Sequence, residues 1–81
     1  MLDELKTAKK VVGIKQSLKA AQDGNVLKAY IAEDADERVT QKLKEFCIEN
    51  NVEIEYAETM KTLGKACGID IGAAVAVIVN E

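Results

Sequence analysis

Apolar positions change their spacing several times along this chain, and each change marks an element. Leu2 and Leu5, with Ala8, give a first helical turn or two, and Val11 and Val12 form a short extended segment that Gly13 breaks. Ile14, Leu18 and Ala21 recur at i, i+4 and i+7. A helix there lays one apolar stripe inward, with Lys15, Gln16, Lys19, Gln22 and Asp23 on the opposite arc, and Gly24 and Asn25 stop it. Val26 to Ala32 is a mostly apolar run of strand length, as a strand covered on both faces requires. Asp34 or Asp36 can cap the next helix, whose inward stripe reads Val39, Leu43, Phe46, Cys47 and Asn50 before Asn50 and Asn51 close it. Val52, Ile54 and Tyr56 alternate with Glu53 and Glu55, the period of two of a half-exposed strand near a sheet edge. Thr59 can cap a further helix that turns Met60, Leu63 and Cys67 inward and stops at Gly68, and the run over 73–79 reads as a second central strand.

Helix and strand thus alternate through the whole length, which predicts an α/β fold: a three-layer α/β/α sandwich on a mixed, roughly four-stranded sheet. Connections long enough for helical crossovers predict that part of the sheet is parallel, with strand order left open. No proline, linker or repeat interrupts the 81 residues, so 1–81 is expected to be one domain with one core, and a monomer when free. Its longest apolar stretch falls far short of the roughly 20 residues of a membrane-spanning helix, and the N-terminus is charged where a signal peptide is apolar. The cytoplasm is the expected compartment.

Charge changes the picture more than composition does. The net charge is −3, yet residues 1–30 hold six lysines against three acids, whereas residues 31–81 hold five cations against eleven acids. A basic face on an acidic body offers phosphate contacts while limiting indiscriminate binding. Candidate catalytic chemistry is sparse. There is no histidine, and Cys47 and Cys67 stand apart, so the commonest general base and a zinc site are both missing; no metal or cofactor is expected, and the cysteines read as buried thiols. Gly64, Gly68 and Gly72 lack the order of a dinucleotide loop and read as packing and turn glycines. Glu33 and Asp34 end a predicted strand and could do acid/base work, although such a pair more often caps the following helix.

The stretch Gly13, Ile14, Lys15, Gln16, Ser17, Leu18, Lys19 carries the stronger chemistry. After a tight turn at Gly13, the first-turn amides of the helix point outward unpaired, ready for phosphate oxygens. Lys15, Gln16 and Lys19 project from the same end; lysine donates to O6 and N7 of guanine, and glutamine both donates and accepts along a base edge. Regular A-form RNA has a groove too deep and narrow for a helix, so the target should be distorted, widened or bulged. Ile69, Asp70, Ile71 and Gly72 place two large aliphatic side chains on a short loop. They either fold back into the core or form an apolar pad for unstacked bases or a partner.

Taken together, the run 13–19, the strand and turn 26–34 ending Ile31, Ala32, Glu33, Asp34, and the segment Leu63, Gly64, Lys65, Ala66, Cys67, Gly68 followed by 73–79 resemble the ribosomal protein L-seven-Ae / L-thirty-e family of kink-turn RNA-binding proteins, in its short bacterial form. The resemblance covers essentially the whole chain. It implies a single RNA-binding domain whose helix from residue 14 enters the widened major groove of a kink-turn beside its tandem sheared G·A pairs. On that reading Lys15, Gln16 and Lys19 contact the guanines, Gly13 lets the backbone approach, Ile14 belongs to the same surface, and Ile69, Asp70 and Ile71 form the hydrophobic loop that packs on bulge nucleotides. Archaeal and eukaryotic members usually carry Asn then Glu where this chain has Lys15 and Gln16, and often a proline after the stretch matching Glu33 and Asp34; lysine has no acceptor and cannot copy an Asn amide. The leading expectation is a non-enzymatic protein that stabilises kink-turns in ribosomal RNA or in other structured RNAs such as riboswitches. The alternatives are a protein-interaction module docking through loop 69–71 and, last, a small enzyme using Glu33 or Asp34.

Overall fold

The structure, a computed structural model, describes residues 2–80. A short 3-10 helix, Leu2–Lys6, leads into β1 (Lys10–Val12), α1 (Ile14–Gln22), β2 (Val26–Ala32), α2 (Glu37–Glu49), β3 (Glu53–Ala57), α3 (Met60–Ala66) and β4 (Val75–Val79). The four strands form one sheet in the order β1-β4-β2-β3. β2 and β3 are parallel, joined by the α2 crossover, whereas β4 runs antiparallel to both β1 and β2. Parallel pairing is therefore confined to β2 and β3, and the two central strands, β2 and β4, oppose each other.

β4 is buried along its whole length because both of its faces are covered. Val75, Val77 and Val79 meet Ala29 and Ile31 of β2 beneath Ala20 and Ala21 of α1 and Leu43 and Cys47 of α2. Ala76 and Ile78 face the other way with Tyr30 and Ala32, beneath Leu63 of α3, Cys67 at its C-terminal cap and Leu5 of the 3-10 helix. The three layers expected from the alternation are thus present, with α1 and α2 on one side and α3 on the other. Both cysteines are buried free thiols, and burial pushes both their pKa values up.

Four inward assignments move. In α2 the buried stripe runs through Thr40, Leu43 and Cys47, while Val39 is 41% exposed. Asn50 is exposed and serves the helix end instead, its side-chain amide donating to the Phe46 carbonyl at 2.9 Å. Tyr56 is half exposed because β3 is an edge strand, and Met60 lies on the exposed first turn of α3. The helix stops hold: at the end of α3, Gly68 adopts φ 80°, its N–H donates to the Lys65 carbonyl at 3.0 Å, and the Ile69 N–H donates to Gly64 at 3.1 Å. That is a Schellman closure, which needs the left-handed conformation glycine takes without strain.

Candidate nucleic-acid interface

One end of the sheet collects the segments singled out above. The Gly13 N–H donates to the Val75 carbonyl at 3.0 Å, which ties the turn before α1 to the start of β4. The Ala32 N–H donates to Ala74 at 2.9 Å, the Glu33 N–H to Ala57 at 2.8 Å, and the Ala73 N–H to Met60 at 2.9 Å. The α1 start, the ends of β2 and β3, the α3 start and the loop entering β4 therefore meet at this end. Glu33 and Asp34 lie here too, but Asp34 is committed structurally: its carboxylate accepts the Met60 N–H at 2.7 Å and so caps α3, while Asp36 caps α2 by accepting the Arg38 N–H at 2.9 Å. Thr59 caps α3 as well, its hydroxyl accepting the Thr62 N–H at 3.0 Å.

Gly13 sets the geometry of the α1 start. Its φ of 99° and ψ of 153° lie in a region essentially open only to glycine, and it carries no side-chain cap. The first amide bonded back along the helix is that of Ser17, which donates to the Gly13 carbonyl at 2.9 Å, so the amides of Ile14, Lys15 and Gln16 occupy the first turn. Lys15, Gln16 and Lys19 are exposed, and Ile14 is partly buried against the core on the α1 and α2 side. No acid sits in the first turn of α1 to occupy its positive end.

The loop over 69–72 is held by backbone rather than by its own side chains. A Cβ on Gly64 would lie 2.0 Å from the Ile71 carbonyl oxygen, and one on Gly72 would lie 3.1 Å from the Met60 Cβ. These glycines let the loop lie flat on α3, which turns its aliphatic side chains outward: Ile71 is 74% exposed and Ile69 36%. The alternative in which both fold into the core does not hold. Ile69, Asp70 and Ile71 line a surface depression of about 290 Å³ together with Lys61 and Lys65 of α3. Sequence reasoning missed those two lysines; the signal that could have found them is a pair spaced i, i+4 in a helix that contains no acid.

Of the six N-terminal lysines, Lys28 is withdrawn from this surface. Its ammonium lies 2.7 Å from Glu4, 3.0 Å from Glu55 and 3.7 Å from Glu53, and 5.0 Å from the centre of the Tyr30 ring. Hydrogen bonds to Glu4 and Glu55 raise its pKa, and the bonds from Lys28 and Tyr30 lower that of Glu4. Among the described residues no group of three His, Cys, Asp or Glu side chains could hold a metal ion, and no helix is long and apolar enough to cross a membrane.

Comparison with known proteins finds relatives that span most of the chain. An RNA-binding protein of Caldanaerobacter subterraneus subsp. tengcongensis is 54% identical over 68 residues, covering 84% of this chain and 83% of its own. The large ribosomal subunit protein eL8 of Halobacterium salinarum is 34% identical over 68 residues, which are 83% of this chain and 57% of that protein. A solved structure, the Giardia lamblia 15.5kD RNA binding protein, superposes with a TM-score of 0.87 at 26% identity over 99% of this chain and 71% of the other. The model of the ribosomal protein L7Ae/L30e/S12e/Gadd45 family matches residues 2–81, and the chain belongs to that family.

Proposed function

We propose that this chain is a non-enzymatic, single-domain RNA-binding protein that recognises and stabilises kink-turns in structured RNA, as a ribosomal or ribosome-associated cytoplasmic component or on riboswitch-like elements. The observation that carries the reading is the pairing, at one end of the sheet, of an uncapped helix start bearing exposed Lys15, Gln16 and Lys19 with an outward-facing aliphatic loop at Ile69 and Ile71. The family and its RNA-binding relatives support it. In this reading α1 enters the widened groove. Lys15, Gln16 and Lys19 donate to guanine edges at the sheared pairs, Gln16 also accepting, while the Gly13 and Ile14 backbone approaches phosphate. Ile69, Asp70 and Ile71 meet the bulge nucleotides, the aliphatic side chains covering base faces that the bend leaves unstacked.

The deciding experiment measures the end-to-end distance of a labelled kink-turn by FRET as protein is added. A sharp tightening is expected, with weak binding to a straight duplex of equal length. No tightening, or equal affinity for the duplex, removes the proposal. A second reading, a protein-interaction module, draws on the 74% exposure of Ile71. It is favoured if Lys19→Ala and Gln16→Ala both leave RNA affinity unchanged while circular dichroism shows an intact fold.

A further inference from the structure

α3 carries its charge differently from α2. At α2 both signs of charge are present and several find partners: Arg38 reaches Asp36 at 3.0 Å, Lys44 reaches Glu37 at 3.8 Å, and Glu45 accepts from the Gln41 amide at 3.1 Å. α3 spans seven residues, Met-Lys-Thr-Leu-Gly-Lys-Ala, with Lys61 in its first turn, Lys65 in its last and no acid between them. A cation in the first turn opposes the helix dipole, and like charges at i and i+4 repel. Among the described residues neither lysine is within ion-pair distance of a carboxylate. Both are exposed, and both line the 290 Å³ depression whose other walls are Ile69, Asp70 and Ile71. The arrangement works against α3 as an isolated helix, yet it places two ammonium groups beside the aliphatic loop.

The geometry points to Lys61 and Lys65 as a phosphate grip on the strand that rests on Ile69 and Ile71, making α3 a third arm of the RNA surface alongside α1 and the loop. This rests on the kink-turn reading and adds to it a sequence-independent contact to the phosphodiester backbone of the bulge. Lysine suits that task, since it binds phosphate as a point charge and needs no fixed approach. Asp70 shares the depression, so its net formal charge is +1, and the backbone is drawn to the α3 side, away from the carboxylate. The lysines supply hold and the α1 residues supply choice.

The test compares the full-length protein with K61Q/K65Q and with a charge-matched control, K9Q/K42Q. Lys42 is exposed on α2, on the other face of the sheet, and Lys9 precedes β1 at the far end, where its carbonyl accepts the Val79 N–H. Affinity for one kink-turn RNA is measured across a salt series. Neutralising two phosphate-binding cations is expected to make the log-affinity against log-salt slope shallower by about 1.4 to 1.8 in K61Q/K65Q and to weaken binding at low salt by roughly tenfold or more. K9Q/K42Q is expected to move both far less, and K61R/K65R to keep the wild-type slope. Methylphosphonates placed one at a time in the bulge strand locate the contact, because neutralising the gripped phosphates weakens the wild type and leaves K61Q/K65Q unmoved. An unchanged slope in K61Q/K65Q, an equal change in the control, or loss in K61R/K65R overturns the grip while wild-type bending of the kink-turn still stands. A wild type that does not bend the RNA removes the kink-turn reading, and the grip with it.

Discussion

At the start of β2, Lys28 reaches three carboxylates and lies over an aromatic ring with its side chain 16% exposed; at the opposite end of the sheet, Lys15, Lys19, Lys61 and Lys65 are exposed with no carboxylate in ion-pair reach among the described residues. The side chain is the same, and its surroundings decide its use. Around Lys28 the chain's acidic residues are spent on holding the N-terminal 3-10 helix and β3 against β2, so the −3 net charge is partly consumed internally. Around Gly13 and the 69–72 loop the cations are left uncompensated, which costs local stability and leaves positive potential facing solvent. Net charge therefore says little about what this protein binds, whereas the placement of each ammonium says a great deal.

The largest effect that separates the two regions should appear in RNA affinity. A side chain that reads a guanine edge is worth roughly 1–3 kcal/mol, so Lys15→Ala with Lys19→Ala is expected to weaken kink-turn binding by well over tenfold while leaving the melting temperature within a degree or two. A filter-binding titration beside a thermal melt checks both halves, and a large fall in melting temperature would mean that these side chains belong to the folded body. Next in size is Gly64→Ala. The added Cβ meets the Ile71 carbonyl at 2.0 Å, so the loop must lift from α3, at a cost of about 1–3 kcal/mol in chemical denaturation together with weaker RNA binding. Wild-type stability in that variant would show that the loop is not pinned there.

These two variants also mark how far the sequence could be read. Periodicity located the elements, because α1 buries one stripe, whereas β4 and the second half of β2 are apolar runs covered on both faces by two separate clusters. The α1 face was legible for the same reason, since its polar arc begins at a glycine. Strand order was not, because the pairing of β4 with β1 and β2 is set by tertiary contacts that leave no local pattern. The outward turn of Ile71 was left open by the residues themselves and implied only by the family resemblance, because it follows from a backbone contact with Gly64, seven residues earlier and across a helix end. Asp34 misled for a related reason, since its partner, the Met60 N–H, is 26 residues away. Lys28 counted toward the basic N-terminal third although its acidic partners come from separate segments of the chain.

A smaller effect tests the closed side of the comparison. Lys28→Met leaves Glu4, Glu53 and Glu55 without their shared cation, and with Glu4 half exposed and solvent screening the cluster the loss should read as a modest fall in melting temperature. The pH dependence carries a definite sign. Bonds from Lys28 and Tyr30 hold Glu4 low, so its contribution is present above its unfolded value near about 4.3 and fades as pH falls through the folded one. Lys28 is held high by Glu4 and Glu55, so its contribution is full below about 10.4 and fades as pH rises. Tyr30 is pushed up to about 12, by burial first and then by Glu4, which keeps the phenol neutral through the same range. The gap between wild type and Lys28→Met should therefore be widest from roughly pH 5 to pH 10 and narrow outside it. RNA binding by Lys28→Met should keep the wild-type salt slope, and a shallower slope would place Lys28 on the RNA.

The smallest expected change has the opposite sign and lies inside the RNA-facing helix. Ser17 is fully buried one turn into α1, and among the described residues its hydroxyl oxygen has no hydrogen-bond partner. A buried hydroxyl without a partner costs about 1–3 kcal/mol, and alanine is also the better helix former by a few tenths. Ser17→Ala should therefore stabilise the fold by about 1 kcal/mol, the small cavity left by the oxygen taking back part of the gain. Because the side chain points inward, RNA affinity should not move. A denaturant midpoint that rises at constant slope confirms the gain. A midpoint that falls would mean that the hydroxyl is satisfied in the folded protein and that this serine helps hold the α1 start alongside its glycine turn.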